Sequence, residues 1–405
     1  MAFLRSIATL SLFGIANTFA LRRAAAARRT RVVRANADAP PANAPDADAP
    51  PIGALDNADA PPANAPDVDT AMMALRAPLR MYGPYPVLSL RFNDIWTPDR
   101  LEETLKERGE RGVPLDFVVD TGANVNTIRA EIAEYHRLTA VGFDEGGVSA
   151  TGDLAGGATY VLGTAQLNDL PKEERIDFCG NLTASALPVA SPSGAGLLGV
   201  GFLFAFPGGV EFDWGDAAAV GPSDAATGAV GPSLTMFGDM IGTEGLLDGL
   251  CEVPARQLES GLVCVTMSIN GVDIPSLLDT GSPITVLNAA AAEAAGIKMP
   301  QPEATGMNPF AKAKQAMEAA AAMASGEVAM LGGADGPVTL RKIPEKQPIA
   351  LGAAEIGAGR PYVGEFPGLA ALGGLGAGSG PAAVLGTDVL RQRRRLVMQN
   401  GKVYV

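Results

Sequence analysis

Histidine is almost absent from this sequence, and its scarcity excludes several kinds of catalytic site. Only one histidine occurs among 405 residues. A Ser-His-Asp or Cys-His triad, or a zinc site built on two or more histidines, would have to use His136 alone. That residue lies in a predicted helix, where an exposed or capping role is expected. Any chemistry must therefore rest on carboxylates, hydroxyls or the backbone.

Cysteines and basic charge are also in short supply. Cys179, Cys251 and Cys264 form no CxxC pair, and their odd number and wide spacing argue against a disulfide scaffold, so buried thiols are expected. The net charge is −13. The most basic stretch after the leader, residues 391–395, is short and flanked by strand-like sequence. We therefore expect no nucleic-acid partner.

The first 35 residues are predicted to be a targeting leader. Residues 7–16 are apolar and small residues follow near 18–20, which is typical of a secretory signal. The apolar stretch is too short to span a membrane, so no stable membrane span is expected. An arginine- and alanine-rich stretch follows, with no acid before Asp38. This order resembles the bipartite leaders of algae with secondary plastids; a plain mitochondrial, plastid or secretory leader is the alternative.

Two repeated or biased segments divide the rest of the chain. Residues 36–48, NADAPPANAPDAD, recur at 57–69 as NADAPPANAPDVD, and neither copy has core-forming residues, which predicts a disordered, extended linker. A Gly/Ala/Pro-rich stretch at 215–233 separates two parts that look alike. At this length about two globular domains are expected.

One unusual string occurs in both parts. FVVDTGANV at 117–125 and SLLDTGSPI at 276–284 each set an aspartate directly behind apolar residues. Such residues predict a buried strand, at whose end ionisation is costly, so the acid needs a partner. A single copy would fit an ordinary turn that closes a strand. Two copies, each followed by a helix-like stretch, predict that Asp120 and Asp279 are that pair.

The surroundings of the two strings also correspond. Downstream lie two apolar-Leu-Gly strings, GLLGVGFL at 196–203 and AVLGTDVL at 383–390, and each leads into another predicted strand pair. In the second part, Asn270 and Gly271 predict a tight hairpin before the acid. An internal duplication of a β-rich lobe accounts for this order.

The order apolar-apolar-Asp-Thr-Gly-Ala/Ser, helix, glycine-rich hairpin and apolar-Leu-Gly resembles the aspartic proteases, most closely their retropepsin-like branch, over about 83–214 and 262–405. The resemblance implies a mainly β fold of two homologous β-barrel lobes with an active-site cleft between them. The predicted segments are a targeting leader at 1–35, a disordered linker at 36–75, an N-terminal lobe at 76–214, an inter-lobe linker at 215–260 and a C-terminal lobe at 261–405.

The resemblance also implies a function, an aspartic endopeptidase that hydrolyses a peptide or protein substrate with Asp120 and Asp279. Two adjacent carboxylates would share one proton and activate a water between them, with no cofactor or metal. Burial raises the upper pKa, so activity is expected at about pH 5 to 7. Because both acids lie on one chain, we expect a monomer. The residues implied as support for the active-site loops are Thr121, Gly122, Ala123, Thr280, Gly281 and Ser282.

Some positions and alternatives stay open at this point. Ser282 can donate to a carboxylate and Ala123 cannot, which predicts an unequal pair. The flap string of pepsin is absent, so the flap glycines Gly156, Gly157, Gly332 and Gly333 are candidates only. Asp388, after the second Leu-Gly, is interpreted as structural. The alternatives are a catalytically inactive peptide-binding or scaffold protein that kept the fold, and two unrelated β domains whose Asp-Thr-Gly strings are turns.

The leader generates the first testable prediction. Residues 1–35 fused to a fluorescent protein should reach the plastid of an alga with a secondary plastid, because the apolar stretch directs entry to the secretory pathway and the arginine-rich stretch directs onward import. A matched fusion of residues 1–20 should stop in the secretory pathway. Fluorescence confined to the vacuole or the medium with the longer fusion would contradict the prediction.

Overall fold

The computed structural model describes residues 74–149, 152–187, 194–216, 230–238, 245–299, 317, 320–331, 338–365, 368–369, 375 and 380–405. The predicted leader and nearly all of the predicted linker lie outside the described residues. So do Gly332 and Gly333. Within the described part of the chain, no helix is both long and apolar enough to cross a membrane.

The protein is mainly β, as predicted, with short helices between the strands. The helices are α1 (Asp99–Glu107), α2 (Ala130–Tyr135), α3 (Val200–Leu203), α4 (Ala289–Ala294) and α5 (Thr387–Leu390), with a 3₁₀ turn at Lys172–Glu174. The strands of the first part of the chain are β1 (Ala74–Pro78), β2 (Arg80–Tyr82), β3 (Tyr85–Phe92), β4 (Val113–Val119), β5 (Thr127–Ile128), β6 (Ala140–Ser149), β7 (Gly152–Leu167), β8 (Asp177–Ser185), β9 (Gly196–Leu198), β10 (Gly209–Asp213), β11 (Ser233–Phe237) and β12 (Glu252–Val253). Those of the second part are β13 (Ala255–Gln257), β14 (Val263–Ile269), β15 (Val272–Leu278), β16 (Val286–Leu287), β17 (Val328–Leu331), β18 (Val338–Lys342), β19 (Gln347–Leu351), β20 (Ala354–Gly359), β21 (Tyr362–Val363), β22 (Ala383–Leu385), β23 (Arg395–Gln399) and β24 (Lys402–Tyr404).

An eight-stranded sheet carries the first Asp-Thr-Gly string. Its order is β2-β3-β4-β9-β5-β8-β7-β6, and β3 also pairs with β7. Strand β4 ends in Phe117, Val118 and Val119, all of which are buried, as the apolar run predicts. It lies between β3, which is antiparallel to it, and β9, which is parallel to it. The strand that delivers Asp120 is therefore central and firmly held.

A ten-stranded sheet carries the second string. Its main path is β17-β18-β21-β16-β22-β15-β14-β19-β20, and β13 pairs with β14. Here β15 lies between the antiparallel β14 and the parallel β22, and β22 pairs in turn with β16. The same succession of pairings surrounds β4, with β3, β9 and β5 in the corresponding places. Both aspartates thus follow strands that are held in the same way.

A six-stranded sheet joins distant parts of the chain, in the order β1-β11-β10-β23-β24-β12. Two of its strands, β11 and β12, fall inside 215–260, the segment expected to be a linker. The glycines and prolines before Ser233 are typical of a loop, so the sequence pattern does not indicate the strand that follows them. Leu234, Met236 and Phe237 are buried there and belong to a strand that pairs on both sides. Strand β1 likewise begins inside the predicted disordered segment, at Ala74.

The single histidine and the cysteines have structural surroundings. His136 follows α2 and is buried rather than exposed, and its Nδ1 lies 3.0 Å from the carbonyl oxygen of Trp96. All three cysteines are free thiols; Cys264 is buried, while Cys179 and Cys251 are half-buried. Burial raises the pKa of the Cys264 and Cys179 thiols, which keeps them protonated.

A long hairpin formed by β6 and β7 contains two of the candidate flap glycines. Asp144 ties β6 to the sheet, since its carboxylate accepts hydrogen bonds from the Ser185 hydroxyl at 3.2 Å and the Gly146 amide at 3.0 Å. A Cβ at Gly157 would overlap the carbonyl oxygen of Ala186, and one at Gly156 would overlap that of Asp144. Close backbone approach therefore requires glycine at both positions.

This packing predicts a local stability effect. Gly157→Ala should lower the free energy of unfolding by about 1 to 3 kcal/mol, because backbone atoms of Ala186 must move to admit the methyl group. Gly142→Ala is the matched control on the same hairpin, where the nearest atom to a new Cβ is 4.0 Å away. Denaturant unfolding monitored by fluorescence measures both. Equal midpoints for the two variants would contradict the close contact.

Candidate active site

Each aspartate is positioned by its own Leu-Gly string. The amide of Asp120 donates to the carbonyl oxygen of Leu198 at 2.9 Å, and that of Asp279 donates to Leu385 at 3.0 Å. Strands β4 and β9, and β15 and β22, run parallel up to these points. The two strings therefore align the chain at the place where each aspartate leaves its strand.

The same strings hold the loop beyond each aspartate. The carbonyl of Ala123 accepts from the Val200 amide at 2.8 Å, and the carbonyl of Ser282 accepts from the Thr387 amide at 2.8 Å. A Cβ at Gly386 would overlap the backbone of Ile284, so the Leu-Gly glycine is needed for close approach. The two Leu-Gly strings, whose positions correspond in the sequence, thus hold the two loops through equivalent contacts.

The two Asp-Thr-Gly loops meet through reciprocal hydrogen bonds of their threonines. The Thr121 hydroxyl accepts from the Thr280 amide at 2.9 Å and donates to the carbonyl of Leu278 at 2.9 Å. In return the Thr280 hydroxyl accepts from the Thr121 amide at 3.1 Å and donates to the carbonyl of Val119 at 2.7 Å. All of these groups are buried. Four hydrogen bonds between segments about 160 residues apart therefore lock the loops together.

The carboxyl groups lie side by side at this junction. Asp120 is 2% exposed and Asp279 is 0% exposed. Gly281 packs so tightly on the Asp120 carboxyl group that a Cβ there would overlap it. The Gly122 amide donates to Asp120 Oδ1 at 2.8 Å, whereas no hydrogen bond of ordinary geometry from the described residues reaches either oxygen of Asp279. The two acids thus share one buried site but differ in their support.

The pKa values of the two acids also differ. Burial raises the pKa of Asp120 to about 6, although the hydrogen bond from the Gly122 amide opposes the rise. Burial also raises the pKa of Asp279 well above its usual range, and the neighbouring charge of Asp120 adds to the rise. A proton held between the carboxyl groups favours ionised Asp120 and protonated Asp279. One proton therefore belongs to the pair near neutral pH, and it resides mainly on Asp279.

The predicted origin of this inequality was wrong. Ser282 was expected to donate to a carboxylate, but its hydroxyl donates to the carbonyl of Ile284 at 2.7 Å. Ala123 has no hydroxyl to donate. Instead the backbone amide of Gly122 donates a hydrogen bond to Asp120. Backbone donors in the turn, which sequence patterns do not reveal, determine which acid is better stabilised in its ionised form.

Three site residues were missed by sequence reasoning. The side chains of Asn126 and Thr285 accept hydrogen bonds from the Gly199 and Gly386 amides, each at 3.0 Å. Both residues stand six positions after their aspartate, a shared offset that could have revealed them. Tyr85 is the third; the negative charges of both aspartates act on its phenol. No sequence motif indicates Tyr85, because its position next to the two aspartates depends on the pairing of β3 with β4.

The remaining predicted positions lie elsewhere. Asp388 accepts a hydrogen bond from the Thr285 hydroxyl at 2.7 Å, and the same hydroxyl accepts from the Gly386 amide, so Asp388 braces the second loop. Gly156 and Gly157 lie on β7 within tight backbone contacts, and a role in substrate binding stays a prediction for them. Gly332 and Gly333, between β17 and β18, fall outside the described residues.

Comparison with known proteins finds one relevant segment. Residues 265–338 match the aspartyl protease family model. This segment includes Asp279 and its Thr-Gly-Ser but not Asp120. No curated protein sequence matches the chain. Among solved structures, basic 7S globulin from soybean is similar at 11% identity and a TM-score of 0.37, with 82% of this chain and 94% of that chain covered. Conglutin gamma, a basic 7S globulin from lupine seeds, gives 9% identity, a TM-score of 0.40 and the same coverage of 82% and 94%.

The reciprocal threonine contacts lead to a prediction. Thr121→Val or Thr280→Val should each lower the free energy of unfolding by about 2 kcal/mol or more, because a buried amide and a buried carbonyl lose their partner. Because the two threonines bond each other's loops, the double variant should lose less than the sum of the single losses. Urea unfolding measures all three variants.

The control for this series is Thr183→Val, on the exposed face of β8, where only the backbone carbonyl of the threonine accepts a side-chain hydrogen bond and the described residues form none with its hydroxyl. It should change stability by less than about 0.5 kcal/mol. Additive losses in the double variant, or a loss for Thr280→Val no larger than for Thr183→Val, would contradict the interlocked arrangement.

Proposed function

We propose that this protein is an aspartic-type endopeptidase that hydrolyses peptide bonds with the pair Asp120 and Asp279. The observation that carries the proposal is the pair itself: two buried carboxyl groups, brought together from distant parts of the chain by reciprocal threonine hydrogen bonds. Burying two acids side by side is costly, and perturbed pKa values of this kind cluster at functional sites. The aspartyl protease match over 265–338 supports the same conclusion.

We also propose that the site is formed by two duplicated lobes within one chain. The repeated pairing around β4 and β15 supports this, as do the repeated contacts of the two Leu-Gly strings. Each lobe contributes one aspartate, so a monomer contains both acids. The cleft that receives the peptide then lies over the junction of the two Asp-Thr-Gly loops.

The proposed reaction uses one water and one shared proton. Ionised Asp120 removes a proton from the water, and the water oxygen attacks the carbonyl carbon of the peptide bond. At the same time Asp279 gives its proton to the carbonyl oxygen. The resulting gem-diol collapses when Asp120 passes its proton to the amide nitrogen. The C–N bond then breaks, a gem-diol hydroxyl returns a proton to Asp279, and an acid and an amine are released. No covalent intermediate with the enzyme is formed.

The direct test is cleavage of a fully randomised synthetic peptide library by the full-length chain. Asp120→Asn and Asp279→Asn should each reduce the rate on the order of 10³-fold or more, because an amide neither shares the proton nor activates water. Asp273→Asn is the matched control, since Asp273 lies on the exposed side of β15, six positions before Asp279. It should retain the rate of the unaltered chain.

The outcomes of this test separate the candidate functions. Mass spectrometry of the digested library reports new peptide termini, and pepstatin is added in a parallel reaction. Inhibition by pepstatin would support the pair, while resistance alone is neutral because inhibitor fit depends on the cleft. Either Asn variant retaining more than about a tenth of the activity would contradict the shared pair. Peptide binding without cleavage by the unaltered chain would instead favour a peptide-binding protein.

The pH dependence follows from the two raised pKa values. Catalysis needs Asp120 ionised and Asp279 protonated. The rate should therefore rise with pH through about 6, where Asp120 loses its proton, and fall again only above the raised pKa of Asp279. A pH series of kcat with one cleaved library peptide measures this profile. A maximum below about pH 4, with no activity at pH 6, would contradict the raised pKa values.

A further inference from the structure

The sequence contains one acceptor motif for N-linked glycosylation. In the pattern Asn-x-Ser/Thr, where x is not proline, the asparagine side chain receives the sugar and a hydroxyl is needed two positions later. Asn181-Leu182-Thr183 is the only such triplet among the 405 residues. Because a short motif also arises by chance, its position in the fold must suit a bulky, polar sugar.

The triplet lies on β8 with its two functional side chains outward. Asn181 and Thr183 are both exposed, whereas Leu182 between them is 6% exposed and packs in the core. Successive side chains of a strand point to opposite faces, so burial of the middle residue fixes the outer two toward solvent. A sugar on Asn181 therefore displaces no part of the core.

A bulge in β8 sets Asn181 apart from the sheet. Between the pairs Gly163–Leu182 and Ala165–Cys179, β8 has one residue more than β7. The extra length contains Asn181, whose φ of 51° is a left-handed conformation that asparagine adopts more readily than most residues. This conformation accounts for an asparagine in the bulge, but it does not require a threonine two positions later.

The surroundings of Asn181 are open. At the neighbouring Gly180, no atom beyond the adjacent residues lies within 4 Å of the place where a Cβ would stand. Within the described part of the chain, no hydrogen bond holds the side-chain amide of Asn181 or the hydroxyl of Thr183. The carbonyl of Thr183 accepts a hydrogen bond from the side-chain amide of Asn126 at 3.1 Å. The backbone of the motif is thus held in place while its two functional groups face solvent.

We propose that Asn181 carries an N-linked oligosaccharide. The donor is an oligosaccharide on a lipid diphosphate, and the transfer forms a bond between Nδ2 of Asn181 and the anomeric carbon of the sugar. The bond from that carbon to the diphosphate breaks, the lipid diphosphate leaves, and the amide nitrogen gives up one proton. The Thr183 hydroxyl is the group that the transferase recognises.

This modification requires entry into the lumen of the endoplasmic reticulum. The proposal therefore also rests on the predicted leader, whose apolar stretch at 7–16 favours that route. Secretory and bipartite leaders both pass through this lumen, whereas import into mitochondria bypasses it. A sugar on Asn181 would thus separate the alternatives for the leader. It is independent of the proposed endopeptidase activity.

The test is translation of the full-length chain in a cell-free system with endoplasmic reticulum membranes. The unaltered chain should give a protease-protected form that migrates more slowly, and peptide-N-glycosidase F should convert this form to the faster one. Asn181→Asp removes the acceptor amide, keeps a residue that tolerates the left-handed backbone, and should abolish the slower form. Thr183→Val should do the same, whereas Thr183→Ser keeps the hydroxyl and should retain the slower form.

Each outcome decides for or against the proposal. A protected chain that stays in the faster form overturns it, because the motif then reached the lumen and was not used. An unprotected chain also overturns it, because its leader then does not deliver Asn181 to the transferase. A slower form that persists in Asn181→Asp would place the sugar on another residue. The slower form in the unaltered chain and in Thr183→Ser, and in neither of the other variants, supports the proposal.

Two features keep this result separate from folding and from the proposed function. The sugar is added while the chain enters the lumen, so the readout does not depend on how well a variant folds. No step involves peptide cleavage, so the absence of endopeptidase activity would leave the result unchanged. On the folded, glycosylated chain, peptide-N-glycosidase F should act without denaturant, since the bulge is exposed. A requirement for denaturant would contradict the outward position of Asn181.

Discussion

The burial of two carboxyl groups against each other is the constraint on which the rest of this structure depends. Two ionised acids at this junction would repel each other without solvent to screen them, so the pair must hold a proton. Such a pair persists only if the surrounding backbone is rigid enough to keep both groups in place. The reciprocal hydrogen bonds of Thr121 and Thr280 supply that rigidity at the point of contact.

The sheets transmit this rigidity to the aspartates. Each acid stands at the end of a central strand, and each is aligned by a parallel neighbour that carries a Leu-Gly string. The glycines at the contacts are required by close packing: Gly281 lies against the Asp120 carboxyl group and Gly386 against the backbone of Ile284. Replacing either would separate elements whose spacing defines the site. The β-sheets therefore hold the two Asp-Thr-Gly loops in position.

The two aspartates differ in their hydrogen bonding, although the strand pairings around them are alike. Asp120 accepts a hydrogen bond from the Gly122 amide, whereas the Gly281 and Ser282 amides, which lower the pKa of Asp279, form no hydrogen bond of ordinary geometry with it. That difference assigns the base and the acid of the proposed reaction. A second asymmetry lies beside it, since the neutral phenol of Tyr85 adjoins the pair from the first sheet. Similar strand pairings around two aspartates can in this way surround acids of unequal character.

The sequence by itself determined the mainly β class, the two Asp-Thr-Gly strings and their companions at Leu198-Gly199 and Leu385-Gly386, because these depend on local apolar runs and on turn residues that recur in order. It did not reveal that Ser282 would bond to Ile284 instead of a carboxylate, since hydroxyl direction depends on which backbone carbonyl is nearest. It also missed β11, whose buried residues follow a glycine- and proline-rich stretch. Only the tertiary structure decided that Asp120 is the better supported acid and that Tyr85 adjoins it. Both follow from strand register and from contacts between residues far apart in the chain, which no local pattern encodes.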